Sequence, residues 1–212
     1  MNNQQNKNIS GRNFQKEMDS LLDTLKKAGE RKKLFLHCCC APCSSYVLEY
    51  LSEYFDITAF FYNPNIDGEK EYIYRLNELI RFIKEKSFEN KIDIVKGDYN
   101  PKEFENIAKG YEDCKEGGAR CLRCFELRLR KTAELAKTYD ADYFATTLTV
   151  SPLKNAAAIN AIGERLGKEY GIAYLPSDFK KKNGYKRTIE LSREYDLYRQ
   201  NFCGCAYSKE KI

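Results

Sequence analysis

From Lys33 onward the chain alternates between two hydrophobic periods, and that alternation restricts it to a small set of folds. Short runs rich in β-branched and aromatic residues at 34–37, 57–62, 92–95 and 143–146 read as buried strands. Between them, apolar residues at helical spacing predict helices over 44–54, 69–86, from Pro101 onward, over 121–137 and over 155–169. Strands separated by helices connect by crossovers rather than hairpins, so the pattern predicts an α/β fold with a parallel sheet and helices on both faces. Ahead of it, Phe14, Met18, Leu21, Leu22 and Leu25 recur at helical spacing until Gly29, predicting an amphipathic helix behind a disordered tail at 1–11. The organisation read from this is a tail and helix at 1–32 and a single α/β domain at 33–212, undivided by any repeat or Gly/Pro/Ser linker.

A chain of 212 residues buries a sizeable core without disulfide staples. It contains no apolar run of about eighteen residues and begins with a polar, amide-rich segment, so the expectation is a cytoplasmic protein with no membrane partner. In a reducing compartment its nine cysteines read as metal ligands or redox groups rather than bridges. The net charge of +5 is mild, but the cations cluster. Arg128, Arg130 and Lys131 form one group; Lys180, Lys181, Lys182, Lys186 and Arg187 form another around Asn183-Gly184-Tyr185. A basic strip with an aromatic in its middle can grip a phosphate backbone and stack a base, although a solvated loop fits the same residues.

The cysteines fall into three groups. Leu36-His37-Cys38-Cys39-Cys40-Ala41-Pro42-Cys43 runs from a predicted strand into a predicted helix, the place in an open parallel sheet where ligands bind. The helix N-terminus there favours thiolate over thiol. Cys121-Leu122-Arg123-Cys124 follows Gly117-Gly118 and puts two sulfurs on one side of a helical turn. Two sulfurs from each group make a four-thiolate cage that suits structural zinc or an iron–sulfur cluster, and its position at a ligand-binding turn favours the redox cluster. Cys203-Gly204-Cys205 is too short for a relaxed bridge, so a bond there would be strained and easily reduced; further metal ligands or exposed thiols are the alternatives. Cys40-Ala41-Pro42-Cys43 alone would suit a thioredoxin-like dithiol oxidoreductase, which has no need of the other cysteines. Asp113 and Cys114 could complete a second metal site, or Asp113 could supply a proton; a solvated loop carboxylate beside a spectator thiol is the plainer reading. The single histidine, His37, ends a core strand and reads as a satisfied core residue.

Four blocks together carry a resemblance: His37-Cys38-Cys39-Cys40-Ala41-Pro42-Cys43-Ser44, Gly118-Ala119-Arg120-Cys121-Leu122-Arg123-Cys124-Phe125-Glu126-Leu127-Arg128-Leu129, Thr146-Thr147-Leu148-Thr149-Val150-Ser151-Pro152, and Tyr198-Arg199-Gln200-Asn201-Phe202-Cys203-Gly204-Cys205. In this order they resemble the cobalamin-independent epoxyqueuosine reductases of the QueH family over residues 33–207. The resemblance implies reduction of the epoxide of epoxyqueuosine to the alkene of queuosine in a tRNA anticodon loop, with electrons from an external donor. It implies a [4Fe–4S] cluster on Cys39, Cys40, Cys121 and Cys124, a redox-active pair at Cys203 and Cys205, and an additional mononuclear iron for which Cys43, Asp113 and Cys114 are the candidates. It also implies a sheet like that of the adenine nucleotide alpha-hydrolase (HUP) fold, with metal-binding inserted and C-terminal helical segments. With tRNA as partner, Arg128, Lys181, Lys182, Lys186 and Arg187 become its expected contacts. A zinc-stabilised RNA-binding module without catalysis is the further alternative.

Overall fold

The computed structural model describes residues 11–208. Five strands, β1 (Lys32–Cys38), β2 (Phe55–Phe61), β3 (Ile92–Lys96), β4 (Tyr143–Thr146) and β5 (Ala173–Tyr174), form one parallel sheet in the order β3-β2-β1-β4-β5. Among the described residues there are seven α-helices: α1 (Phe14–Ala28), α2 (Ala41–Leu51), α3 (Glu69–Glu85), α4 (Pro101–Ala108), α5 (Ala119–Thr138), α6 (Ala156–Tyr170) and α7 (Gly184–Glu194). None is long and apolar enough to cross a membrane.

Side chains alternate across a strand, and here both sets are apolar, so the sheet is buried on both sides. Leu34, Leu36, Ile57, Ala59 and Phe61 face one core, completed by Met18, Leu22 and Leu25 of α1, Val47 and Leu48 of α2, and Leu76, Leu79 and Phe82 of α3. Phe35, Phe60 and Phe144 face the other, completed by Phe125, Leu129 and Ala133 of α5 with Ile159 and Leu166 of α6. The α1 boundaries follow from its caps: the Asn13 side chain accepts from the Lys16 N–H, and Gly29 takes the left-handed conformation that ends the helix.

Chain order reverses at β1. Its neighbour β2 follows it directly, whereas β4 on its other side arrives only after α5, so a crevice opens at the carboxyl ends of β1 and β4. The register pairs His37 with Thr146. Cys39 and Thr147 therefore leave the sheet side by side.

Three features differ from the sequence expectation. The helix after β1 starts at Ala41 rather than 44, because Pro42 suits a first helical turn. Strand β5 has only two residues, too few to show a period. Helix α7 occupies the segment read as a basic strip; its buried face is Gly184, Thr188, Leu191 and Ser192, which carries almost no hydrophobic signal. The expected disordered tail lies, apart from Gly11, outside the described residues.

Helix α7 packs on α2 through Gly184, where an added Cβ would stand 1.9 Å from the Phe179 carbonyl oxygen and 2.4 Å from Tyr46 Cε1. Gly184→Ala should therefore cost about 1–3 kcal/mol in urea denaturation, the usual scale of overpacking. An unchanged midpoint would contradict this contact.

Candidate metal and redox centre

Where β1 ends, the chain turns through Cys39 and enters α2 with Cys40 extended at the N-cap. Cys38 stays behind in the core, its thiol donating to Leu36 O, and burial pushes it well above the usual thiol range. The sulfurs of Cys39, Cys40 and Cys43 lie within 4.8 Å of one another, and those of Cys39 and Cys40 are 4.0 Å apart. Thiolates on one metal ion sit at about 2.3 Å from it, so this spacing allows a shared ion. The neighbouring Cys40 and Cys43 thiols hold the Cys39 sulfur well below the usual thiol range; Lys154 and the Thr147 hydroxyl add to this. Cys40 is correspondingly pushed up to about 12, first by its bond to Cys39, and Cys43 is raised for the same reason. Thr147 grips Cys39 twice: its Oγ1 accepts the Cys39 N–H at 3.3 Å and donates to the sulfur at 3.4 Å.

The first turns of α5 carry Cys121 and Cys124. Cys121 accepts the Gly117 N–H at 3.2 Å, while Cys124 is buried against Phe104, Ala108 and Cys205, and burial pushes it up to about 12. Cys203 and Cys205 both lie within electrostatic reach of Cys121 and Cys124. All nine cysteines are free, which gives no support to a bridge between Cys203 and Cys205.

The Cys203–Cys205 loop is clamped from below. Arg75, buried and paired with Glu71 at 2.7 Å, donates to Cys203 O at 3.3 Å, and the Asp67 N–H donates to Gly204 O at 2.9 Å. Gly204 has φ +114°, and a Cβ there would stand 2.8 Å from Arg75 Nη1.

A cleft of about 730 Å³ opens at the crevice beside β1. Cys39, Cys40, Cys43 and Cys203 line it together with Arg128 and Lys154. Burial works against the Lys154 charge, yet the thiols of Cys203, Cys43 and Cys39 hold its ammonium above the usual lysine range. Lys154 and Thr147 were not singled out from sequence, although both lie in or just beyond the Thr-Thr-Leu-Thr-Val-Ser-Pro block; a lone lysine after a proline turn gives no signal of its own.

Other expected residues are placed differently. Asp113 is exposed on a turn and Cys114 is half-buried beside it; neither lines the cleft, whereas Glu116 does. Arg128, read as part of a basic patch with Arg130 and Lys131, points inward and is buried, because it lies on the α5 stripe that covers the sheet. Arg130 and Lys131 stay outside in ion pairs with Glu126, Glu169 and Glu134. His37 is a core residue: Nε2–H donates to Tyr62 O, Nδ1 accepts from Thr146, and burial, aided by nearby Arg128, holds it down at about 3. Of the second basic strip, Lys181 is exposed, Lys182 pairs with Asp19, Lys186 approaches Glu190 at 3.9 Å and Arg187 pairs with Glu49.

A doubly wound α/β protein whose carboxyl-edge cleft is lined by thiols and cations is built as a thiolate-based metal or redox enzyme. A family model described as epoxyqueuosine reductase QueH matches residues 34–211. Proteins named epoxyqueuosine reductase QueH from Streptococcus pyogenes serotype M1 and Staphylococcus epidermidis are 43% and 41% identical, covering 92% and 94% of this chain and 78% and 85% of their own lengths. A protein of the same name from Thermotoga maritima is 34% identical over 82% of this chain and 89% of its own. The chain belongs to the epoxyqueuosine reductase QueH family and is an oxidoreductase. That membership decides against the thioredoxin-like and zinc-module alternatives.

Gly204→Ala should displace the Cys203–Cys205 loop and cost about 1–3 kcal/mol, since both its backbone conformation and Arg75 oppose a methyl group. Denaturation under reducing conditions reads this, and a wild-type midpoint would remove the clamp from the description.

Proposed function

We propose that this protein reduces the epoxide of epoxyqueuosine in tRNA to the alkene of queuosine, using a [4Fe–4S] cluster held by Cys39, Cys40, Cys121 and Cys124. The observation that carries this reading is that cysteines far apart in sequence, Cys39, Cys40, Cys43 and Cys203, line one cleft with the cations Arg128, Lys154 and Arg199. The all-sulfur donor set suits iron–sulfur chemistry. Cys121 and Cys124 lie outside the group formed by the Cys39, Cys40 and Cys43 sulfurs and outside the cleft lining, so their part in the ligand set rests on the family resemblance. Of the three candidates for an additional iron, Cys43 alone lines the cleft, so it is the residue assigned to that ion. The strand order agrees with the sheet of the adenine nucleotide alpha-hydrolase fold, to which we assign the domain.

The reaction takes two electrons and two protons and releases the epoxide oxygen as water. A bound cluster would supply electron transfer and a Lewis-acidic iron. The chain's own residues do the rest. Lys154, facing the thiols without a carboxylate partner among the described residues, holds a proton where the leaving oxygen would develop charge, a role that Asp113, exposed and outside the cleft lining, is not placed to fill. Cys203 and Cys205 deliver two electrons by passing from dithiol to disulfide, releasing two protons, and an external donor restores them. Their reach to Cys121 and Cys124 supports that relay.

The tRNA contact follows from the cleft's rim. Leu153 is 75% exposed and Tyr185 37% exposed, and both line the opening, so a base flipped out of the anticodon loop meets an apolar and an aromatic surface. Lys181 and Lys182, in the turn before α7, and Lys186 and Arg187, in its first turn, flank Tyr185, where they can take the adjoining phosphates. Arg128 is reassigned from the phosphates to the cleft itself.

Anaerobic incubation of iron–sulfur-reconstituted protein with epoxyqueuosine-containing tRNA and a chemical reductant should yield a nucleoside one oxygen lighter by mass analysis. Cys39→Ser should abolish that product and the broad visible absorbance together; a colourless wild-type protein, or an unchanged nucleoside, refutes the proposal. Replacing Lys181 and Lys182 by Ala should weaken tRNA binding and flatten the slope of log K against log salt by roughly 1.4–1.8, about 0.7–0.9 for each phosphate contact. A salt dependence identical to wild type would make the strip a solvated surface.

A further inference from the structure

Three arginines are almost fully buried among the described residues, and each leaves at least one guanidinium nitrogen buried without an acceptor. Arg75 pairs with Glu71, and Arg120 donates to the carbonyls of Tyr111 and Glu112 at 2.9 and 2.7 Å while its guanidinium covers the Tyr207 ring. Arg128 is the least compensated of the three, with two such nitrogens. It is 2% exposed and has no carboxylate partner among the described residues. Only Nη1 is bonded, to Asn63 Oδ1 at 3.1 Å, and both Nε and Nη2 are buried without a hydrogen-bond acceptor. Burying a guanidinium costs several kcal/mol unless an opposite charge and acceptors answer it.

Arg128 lies over the Phe125 ring, 6.0 Å from its centroid, and faces the thiol-lined cleft. It lines the cleft with Cys39, Cys40, Cys43 and Cys203. Burial acts against its charge, but Cys124, Cys203, Cys39 and Cys121, one or more from each of the three cysteine groups, hold the guanidinium above its usual range. Asn63 fixes its position by accepting from Nη1 and donating from Nδ2 to Cys38 O at 3.0 Å, which ties the cation to the end of β1. Lys154 is also cationic and lines the same cleft, but on a flexible stem that ends in a compact ammonium rather than a planar fork.

We propose that Arg128 is the built-in counter-ion of the thiolate–metal centre, a positioning residue that offsets the negative charge on the sulfurs and raises the reduction potential of whatever they hold. The inference rests on the iron–sulfur reading above. Each electron added to a thiolate-ligated centre increases its negative charge, so a nearby fixed cation stabilises the reduced form more than the oxidised one. N–H donors pointed at ligand sulfurs act in the same direction.

The test is the midpoint potential of the anaerobically reconstituted protein, titrated with mediator dyes and followed by its visible absorbance. Arg128→Gln removes the charge. Asn63→Asp keeps Arg128 but neutralises it with an adjacent carboxylate, at the cost of the donor to Cys38 O. Arg128→Lys keeps the charge and loses the planar fork. The expected result is a negative shift for Arg128→Gln and for Asn63→Asp of about tenfold in the reduced-to-oxidised ratio at fixed poise, about 59 mV for one electron. Arg128→Lys should stay close to wild type. Equal midpoints in wild type and Arg128→Gln overturn the inference while the absorbance leaves the cluster reading standing. If Arg128→Gln does not take up the chromophore, Asn63→Asp decides by the same criterion, an unshifted midpoint being the overturning result. A wild-type protein that acquires no chromophore overturns the cluster reading and the inference together, and its missing absorbance distinguishes that outcome.

Discussion

The parallel pairing of β1 between β2 and β4 is the constraint on which the site depends. Every residue of β1 pairs with β2, and Leu34 to His37 pair with β4 on the other side. Two-sided pairing, with apolar side chains buried above and below, leaves the strand no freedom to slip, because a one-residue shift would exchange the two cores. The end of β1 is therefore a fixed point. Cys39 is delivered to the same place as Thr147, and α2 begins with Cys40 at its N-cap. A thiolate there meets the positive end of a helix, a hydroxyl donor and two neighbouring thiols.

Charge is the second organising feature. The cleft gathers several sulfurs and three cations, Arg128, Lys154 and Arg199, with Glu116 as the carboxylate on its lining. In water such a mixture would be unremarkable. In a cleft walled by Leu148, Val150 and Phe202 each charge interacts more strongly, so the cations favour thiolate and thiolate-bound metal over neutral thiol. The same environment explains why the groups separate: Cys39 among donors is held low, while Cys38 and Cys124 against apolar neighbours are pushed up. Clamping of the Cys203–Cys205 loop by Arg75 and Asp67 brings the C-terminal segment back to this chemistry, although it is remote in sequence.

Much of the framework was legible beforehand. Strand β4 and the start of α3 lie where the period placed them, because long apolar runs and clean helical spacing reflect burial directly. The short β5 and the polar-faced α7 escaped, since two residues carry no period and a helix that packs through Gly184 and Thr188 shows no apolar stripe. At the site, residue type announced the cysteines, whereas orientation was hidden. Arg128 sits among charged neighbours in the sequence, Arg130 and Lys131, yet the helical phase of α5 turns it inward and them outward. Asp113 shows the converse: a carboxylate adjacent to cysteines in sequence that the turn carries out to solvent.

By itself the sequence determined the alternating architecture, the chemical character of the site and the family, because these rest on local period and on residue types that few other functions require. The tertiary structure alone decided which sulfurs share a cleft, that Lys154 lines it and Thr147 bonds to Cys39, and that Arg128 is an interior cation rather than a surface one. Those facts depend on strand order and helix phase. Both are set by packing between segments distant in the chain, which no local pattern records.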